Sequence, residues 1–165
     1  MTKTLLSQIF SLSTELIEAG KSKGKTIATA ESCTGGLIGA AITSAPESSA
    51  VFYGGIIAYH NSAKINQLGV SSETINAHGA VSQNVAEEMA AGCRARLKVD
   101  IAVSVTGISG PGGGFAEKPV GTVWIGLCTA AELFSKLHYF PDMSRNEVRD
   151  YTCLAALEMM LERLR

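Results

Sequence analysis

The spacing of hydrophobic residues changes along this chain, and each change marks an element. Leu5, Ile9, Leu12 and Leu16 recur at helical intervals, which predicts an amphipathic helix ending between Gly20 and Gly24. Residues 26–30 (TIATA) then read as a short buried strand, closed by the turn Ser-Cys-Thr-Gly-Gly. The run 35–43 (GGLIGAAIT) is small and apolar and suits a helix lying close on a sheet. Residues 51–59 (VFYGGIIAY) favour a strand, and Gly54-Gly55 inside it marks a bulge or a close backbone approach. Short helical turns and loops are expected over 61–78, then a helix over 82–97 capped by Ser82. Residues 100–106 (DIAVSVT) form the clearest buried strand and run into a glycine-rich loop over 107–114. Two further strands, 120–129 and 133–140, are near enough in sequence to pair antiparallel. Val148, Leu154, Leu157, Leu161 and Leu164 predict a long final helix from about Ser144.

Helix and strand alternate early, whereas the late strands follow one another directly. That order predicts an α/β fold, a single-domain three-layer α/β/α sandwich over 1–165 with a mixed sheet. Composition agrees, with 46% hydrophobic and 18% charged residues and no repeat, linker or low-complexity tract. A net charge of −1 gives no electrostatic reason to expect a nucleic acid or an anionic membrane as partner. Lys21, Lys23 and Lys25 read as the solvated end of the first helix. The four cysteines, Cys33, Cys93, Cys128 and Cys153, lie far apart without CxxC spacing, and three of them sit in apolar runs as small core residues. His60, His78 and His138 share no ligand spacing either, so no metal is expected. The opening MTKTLLSQIF lacks the apolar core and cleavage site of a signal peptide, and no apolar run reaches the roughly 20 residues of a membrane span. The expected compartment is the cytoplasm.

Three segments carry candidate chemistry. In the first, Ala30 to Gly36 (AESCTGG), a strand end opens a helix through two glycines. Ser32 there is either a nucleophile or, like Thr34, a helix cap. Cys33 competes with it as a nucleophile. The N–H groups around Cys33, Thr34, Gly35 and Gly36 are candidates to hold an anion or an oxyanion. Glu31 either orients a neighbour or complements the positive helix end. The second segment, Tyr59 to Lys64 (YHNSAK), offers a lysine that, partly buried, becomes a base able to take a serine proton. Its alternative is an exposed turn that starts a helix. Tyr59 is a candidate to relay the proton, hold Lys64 or bond the reacting carbonyl. The third segment, Thr106 to Gly114 (TGISGPGGG), is neither a P-loop nor a dinucleotide fingerprint, yet it is richer in glycine than a connection requires. Thr106, Gly107, Gly110, Gly112 and Gly113 are candidates for substrate binding, with Lys118, Arg145 and Arg149 as phosphate partners.

Taken together, TAESCTGG (29–36), YHNSAK (59–64), HGAVS (78–82) and TGISGPGGG with KPVGTVW (106–124) resemble the C-terminal domain of the competence/damage-inducible CinA family. The resemblance runs in order from about residue 5 to the end. It implies a nicotinamide-nucleotide amidohydrolase, which converts nicotinamide mononucleotide to nicotinic acid mononucleotide and ammonia without a cofactor. It also implies catalytic roles for Ser32, Tyr59 and Lys64. On that view Lys64 deprotonates Ser32, the Thr34–Gly36 amides stabilise the oxyanion, and the glycine-rich loop grips ribose or phosphate. A nucleotide-binding module with little turnover and an amidase for a related nucleotide amide are the alternatives. A homodimer is the expected assembly. Two departures stand out. Phe140-Pro141-Asp142-Met143-Ser144-Arg145 replaces the family's Phe-Pro-Gly-Asp-Arg, with Arg145 expected to serve as its arginine, and Ser109 stands where alanine is usual.

Overall fold

A computed structural model describes residues 4–165. Helix α1 (Leu5–Lys23) is capped at its start by Thr4, whose side chain accepts from the Ser7 amide, and at its end by Gly24 in the left-handed region. Ile9 and Leu16 are buried, as their spacing required. The predicted lysine cluster at its end is at the surface and is paired, Lys21 with Glu47 and Lys25 with Asp100.

Five strands follow: β1 (Ile27–Glu31), β2 (Phe52–Ile57), β3 (Ile101–Gly107), β4 (Thr122–Cys128) and β5 (Leu133–Tyr139). They form one mixed sheet in the order β2-β1-β3-β4-β5. β1 runs parallel to both β2 and β3, while β4 and β5 are antiparallel additions. β1 and β3 are buried on both faces, hence their unbroken apolar or small-residue sequence.

One face is covered by α1, by α2 (Leu37–Thr43) and by α6 (Arg145–Leu164), closing a core around Leu16, Ile38, Ile42, Val103, Ile125, Leu157 and Met160. The other face carries α5 (Gln83–Leu97), which packs over all five strands, with α3 (Asn61–Leu68) beside it. Ala28, Ala30, Val85, Met89, Cys93 and Ala102 fill the core there. This is the three-layer sandwich expected. All four cysteines are free and buried.

Two local outcomes refine the sequence reading. The stretch 61–78 contains two regular helices, α3 and α4 (Ser72–His78), rather than loose turns. Each has a side-chain cap, His60 accepting from the Ser62 amide and Ser71 from the amides of Glu73 and Thr74. Caps and packing on α5 supply what the weak periodicity of this stretch did not show. The close-approach reading of Gly54-Gly55 holds, while the residue skipped in the β1–β2 pairing is Tyr53, directly before the pair. The β1–β2 register shifts between Ile27 and Ala28, and a Cβ on Gly55 would collide with Thr29 Oγ1.

The sheet order places β2 and β3 on opposite sides of β1. Connections leaving the C-terminal ends of β1 and β3 therefore diverge, and a crevice opens between them. All three candidate segments begin at these parallel strand ends.

Candidate active site

Ser32 follows the last residue of β1, and its position is set by the sheet. Its amide donates to Val105 O (3.1 Å) on β3, while Glu31 O accepts from the Ala58 amide (2.8 Å) beyond β2. The side chain is free to act because it is not a helix cap. Gly36 occupies the N-cap position of α2, in the left-handed region at φ 100°, and no cap side chain bonds there. The neighbouring carboxylate takes over that task.

Glu31 is 1% exposed and points inward. Its oxygens accept from the amides of Gly36 (2.9 Å), Ile38 (3.1 Å) and Gly39 (2.8 Å), and from the hydroxyls of Thr34 (2.7 Å) and Thr29 (3.2 Å). A buried carboxylate surrounded by donors is stable, and a charge at a helix start is well placed. The same contacts correct the expectation of free N–H groups at this helix. Gly36's amide is taken by Glu31, and Gly35's amide donates to Ser32 O (3.0 Å). Glu31, Thr34, Gly35 and Gly36 are absent from the cleft lining and form the support beneath it.

Lys64 reaches the site from the first turns of α3. It is 2% exposed, and its Nζ lies 3.0 Å from Ser32 Oγ and donates to Tyr59 O at 2.9 Å. The segment is an exposed turn over 59–62 that starts α3, as the alternative had it, but Lys64 itself is buried. Burial draws its pKa below the ordinary lysine value. A lysine so placed is a better proton acceptor near neutral pH than one in water. Cys33 goes the other way, its thiol pushed up to about 11 by burial, so it stays protonated and a weak nucleophile. Of the two candidate nucleophiles, Ser32 alone has a base against it.

Tyr59 contributes through two different atoms. Its backbone carbonyl holds Lys64, whereas its exposed phenol accepts from Arg145 Nη2 at 3.0 Å. Arg145 also donates through Nη1 to Gly110 O at 2.7 Å, tying α6 to the glycine-rich loop. The altered segment before α6 therefore still delivers an arginine to the cleft. Asp142 there adopts φ 57°, a left-handed conformation that aspartate tolerates better than most residues. Ser144 and Glu147 close a capping box that starts α6.

These groups line one cleft of about 270 Å³. Its wall includes Ser32, Cys33, Tyr59, Lys64 and Arg145, together with Thr106, Gly107, Gly110, Gly112 and Gly113 from the end of β3. Two proposed phosphate partners lie elsewhere. Lys118 Nζ donates to His78 O (2.7 Å), closing the end of α4, and Arg149 Nη2 donates to Thr34 O (3.0 Å). Both bind backbone carbonyls, contacts that a sequence cannot reveal. Asn61, Ala80, Val81, Ile108 and Ser109 also line the cleft. All five lie inside the quoted motifs, so their proximity was legible although their individual places were not. Among the described residues no group of His, Cys, Asp or Glu is arranged to hold a metal ion, and no helix is long and apolar enough to cross a membrane.

Fold and site together define a three-layer α/β protein with a buried serine–lysine pair at the C-terminal ends of its parallel strands. The comparisons with known proteins give this class a family. The model of the CinA C-terminal domain matches residues 9–164, and the chain belongs to that family. A CinA-like protein from Chloroherpeton thalassium is 60% identical over 116 residues, covering 70% of this chain and 28% of its own length. One from Shewanella piezotolerans is 43% identical over 162 residues, covering 98% of this chain and 37% of its own. The chain thus spans between about a quarter and two fifths of the length of these relatives. Among solved structures, the competence/damage inducible protein CihA from Agrobacterium tumefaciens superposes with a TM-score of 0.92 at 42% identity, covering 94% of both chains. A CinA superfamily protein from Klebsiella pneumoniae gives 0.90 at 31% identity, covering 94% of this chain and 97% of its own.

Proposed function

We propose that this protein is a nicotinamide-nucleotide amidohydrolase, which hydrolyses the carboxamide of nicotinamide mononucleotide to the carboxylate and ammonia. The observation that carries the reading is the 3.0 Å contact between the buried Lys64 Nζ and Ser32 Oγ, in a cleft bordered by glycine-rich backbone and an arginine. In this mechanism the neutral Lys64 amine takes the Ser32 proton as Oγ bonds to the carboxamide carbon. In this reading the backbone amide of Cys33, a residue of the cleft wall, stabilises the resulting oxyanion, and one such donor is typically worth about 3 kcal/mol. Collapse breaks the C–N bond as Lys64 returns the proton to nitrogen and ammonia leaves. A water, deprotonated by Lys64, then hydrolyses the ester and frees Ser32. Arg145 and the Gly110–Gly113 backbone are the groups suited to the nucleotide's ribose and phosphate.

The test is ammonia release from nicotinamide mononucleotide, nicotinamide and NAD, each supplied separately. Release from the mononucleotide is expected, and Ser32→Ala should lower kcat at least about 10³-fold while still binding the nucleotide. No release from the mononucleotide by the intact protein defeats the reading. Binding without turnover would make the protein a nucleotide-binding module.

A further inference from the structure

The segment HGAVS (78–82) and the lysine that opens KPVGTVW (118–124) are motifs to which the reaction above gives no part. The structure joins them. Lys118 Nζ donates to His78 O (2.7 Å), the carbonyl of the last residue of α4, across 40 residues. Carbonyls at a helix C-terminus lack partners along the helix, and a cation is well placed there. Gly79 follows at φ 77°, and a Cβ on it would come within 3.3 Å of the ammonium, so the turn leaves the room the lysine needs.

This tie connects two walls of the cleft. Gly112 and Gly113 line it from the glycine-rich loop, and Ala80 and Val81 line it from the α4–α5 connection. The two segments are joined twice, by Thr106 Oγ1 donating to Ala80 O (2.8 Å) at the foot of the loop and by Lys118 at its far end. Arg145 holds Gly110 O (2.7 Å) between them. From 111 to 117 the loop is exposed, and among the described residues no hydrogen bond joins that stretch to another element. Its tip closes only on itself, Phe115 and Lys118 exchanging both backbone bonds at 3.0 Å. Lys118 is therefore the polar anchor of that tip, and of Gly112 and Gly113 before it, on the body of the protein. Glycines lose much conformational freedom on ordering, so a loop already held in place spares a ligand that cost on binding.

We propose that Lys118 is a positioning residue, which clamps the glycine-rich loop to the end of α4 and so presets the wall that receives the nucleotide's ribose and phosphate. It acts without touching the ligand, because it lies outside the cleft lining and its ammonium is turned to the His78 carbonyl. The assignment rests on the amidohydrolase reading above.

The experiment compares the intact protein with Lys118→Met, which keeps the length but loses the donor, and with Lys118→Arg, which keeps a donor. NMR order parameters of the Gly112, Gly113 and Phe115 amides are measured without ligand, beside thermal unfolding and steady-state ammonia release from nicotinamide mononucleotide. In Lys118→Met the order parameters should fall from about 0.8 to below about 0.6. KM should rise about 3- to 10-fold while kcat stays within about threefold. Lys118→Arg should recover the order and most of the KM, and Tm should stay within about 4 °C in both variants. Unchanged order parameters in Lys118→Met overturn the clamp, and a raised KM beside them would assign the lysine to the ligand instead. A loosened loop with KM unchanged, or a Tm lower by more than about 4 °C, also overturns the positioning role. No ammonia release by the intact protein overturns the functional reading and this assignment with it.

Discussion

Lys64 carries a structural cost as well as a proposed chemical role. Its pKa is held below the ordinary lysine value by burial, so the fold binds fewer protons at this site than the unfolded chain does between the two pKa values. Stability from this group is therefore fully present above the unfolded pKa and is lost as pH falls through the lowered folded one. A Tm-against-pH series should rise across that window, and Lys64→Met should flatten the rise. At neutral pH the same variant should match or exceed the parent in Tm while losing ammonia release, because a methionine of similar volume is not penalised by burial. If proton uptake by Lys64 limits the reaction, kcat/KM should climb with pH to a plateau, with its midpoint below the free lysine value. Tyr59→Phe tests a different atom. Lys64 is held by the Tyr59 carbonyl and not by its phenol, so kcat should stay within a few-fold and any loss should appear in KM.

Among the elements, the β1–α2 junction shows how a buried charge can organise a site without entering it. Glu31 takes three amides and two hydroxyls, all of them donors. Glu31→Gln keeps the shape but turns an NH2 group toward N–H and O–H groups, leaving at least one buried donor unmet. The expected loss is about 2–3 kcal/mol, a Tm drop of roughly 4–12 °C for a domain of this size. A smaller drop in kcat is expected alongside it as the Ser32 turn loosens. Differential scanning calorimetry and ammonia release measure the two, and an unchanged Tm would remove Glu31 from this role. Arg149 supports the same turn from α6, through Thr34 O.

For the molecule as a whole, the cleft exists only because three elements meet at it. Arg145 bridges them, reaching from the first residue of α6 to the phenol of Tyr59 beyond β2 and to Gly110 beyond β3. Arg145→Ala should therefore raise KM about tenfold or more, by removing a cation and releasing two walls at once. Its effect on Tm should be small, because these contacts lie at the surface end of the cleft. Calorimetric titration with the mononucleotide, run beside thermal unfolding, separates the two effects. Lysine at this position should restore only part of the affinity, since an ammonium cannot reproduce the two-pronged geometry.

Local sequence determined the strands, the long helices and the layer order, because each depends on a run or period of apolar residues that neighbouring residues alone specify. β1 and β3 are legible as unbroken buried runs, α1 and α6 as periodic ones, and Gly55 as a close approach. The motif segments also named most of the residues that line the cleft. Several assignments needed the tertiary structure. That Ser32 is not the cap of α2 could not be read locally, because the group that takes that place, Glu31, acts from inside the preceding strand. Lys118 and Arg149 lie outside the cleft lining and bind backbone carbonyls 40 and 115 residues away. Such contacts follow no sequence period, since any chain segment presents the same carbonyl. The same holds for the pairing of Lys64 with Ser32: its burial and its 3.0 Å approach across 32 residues are both properties of packing.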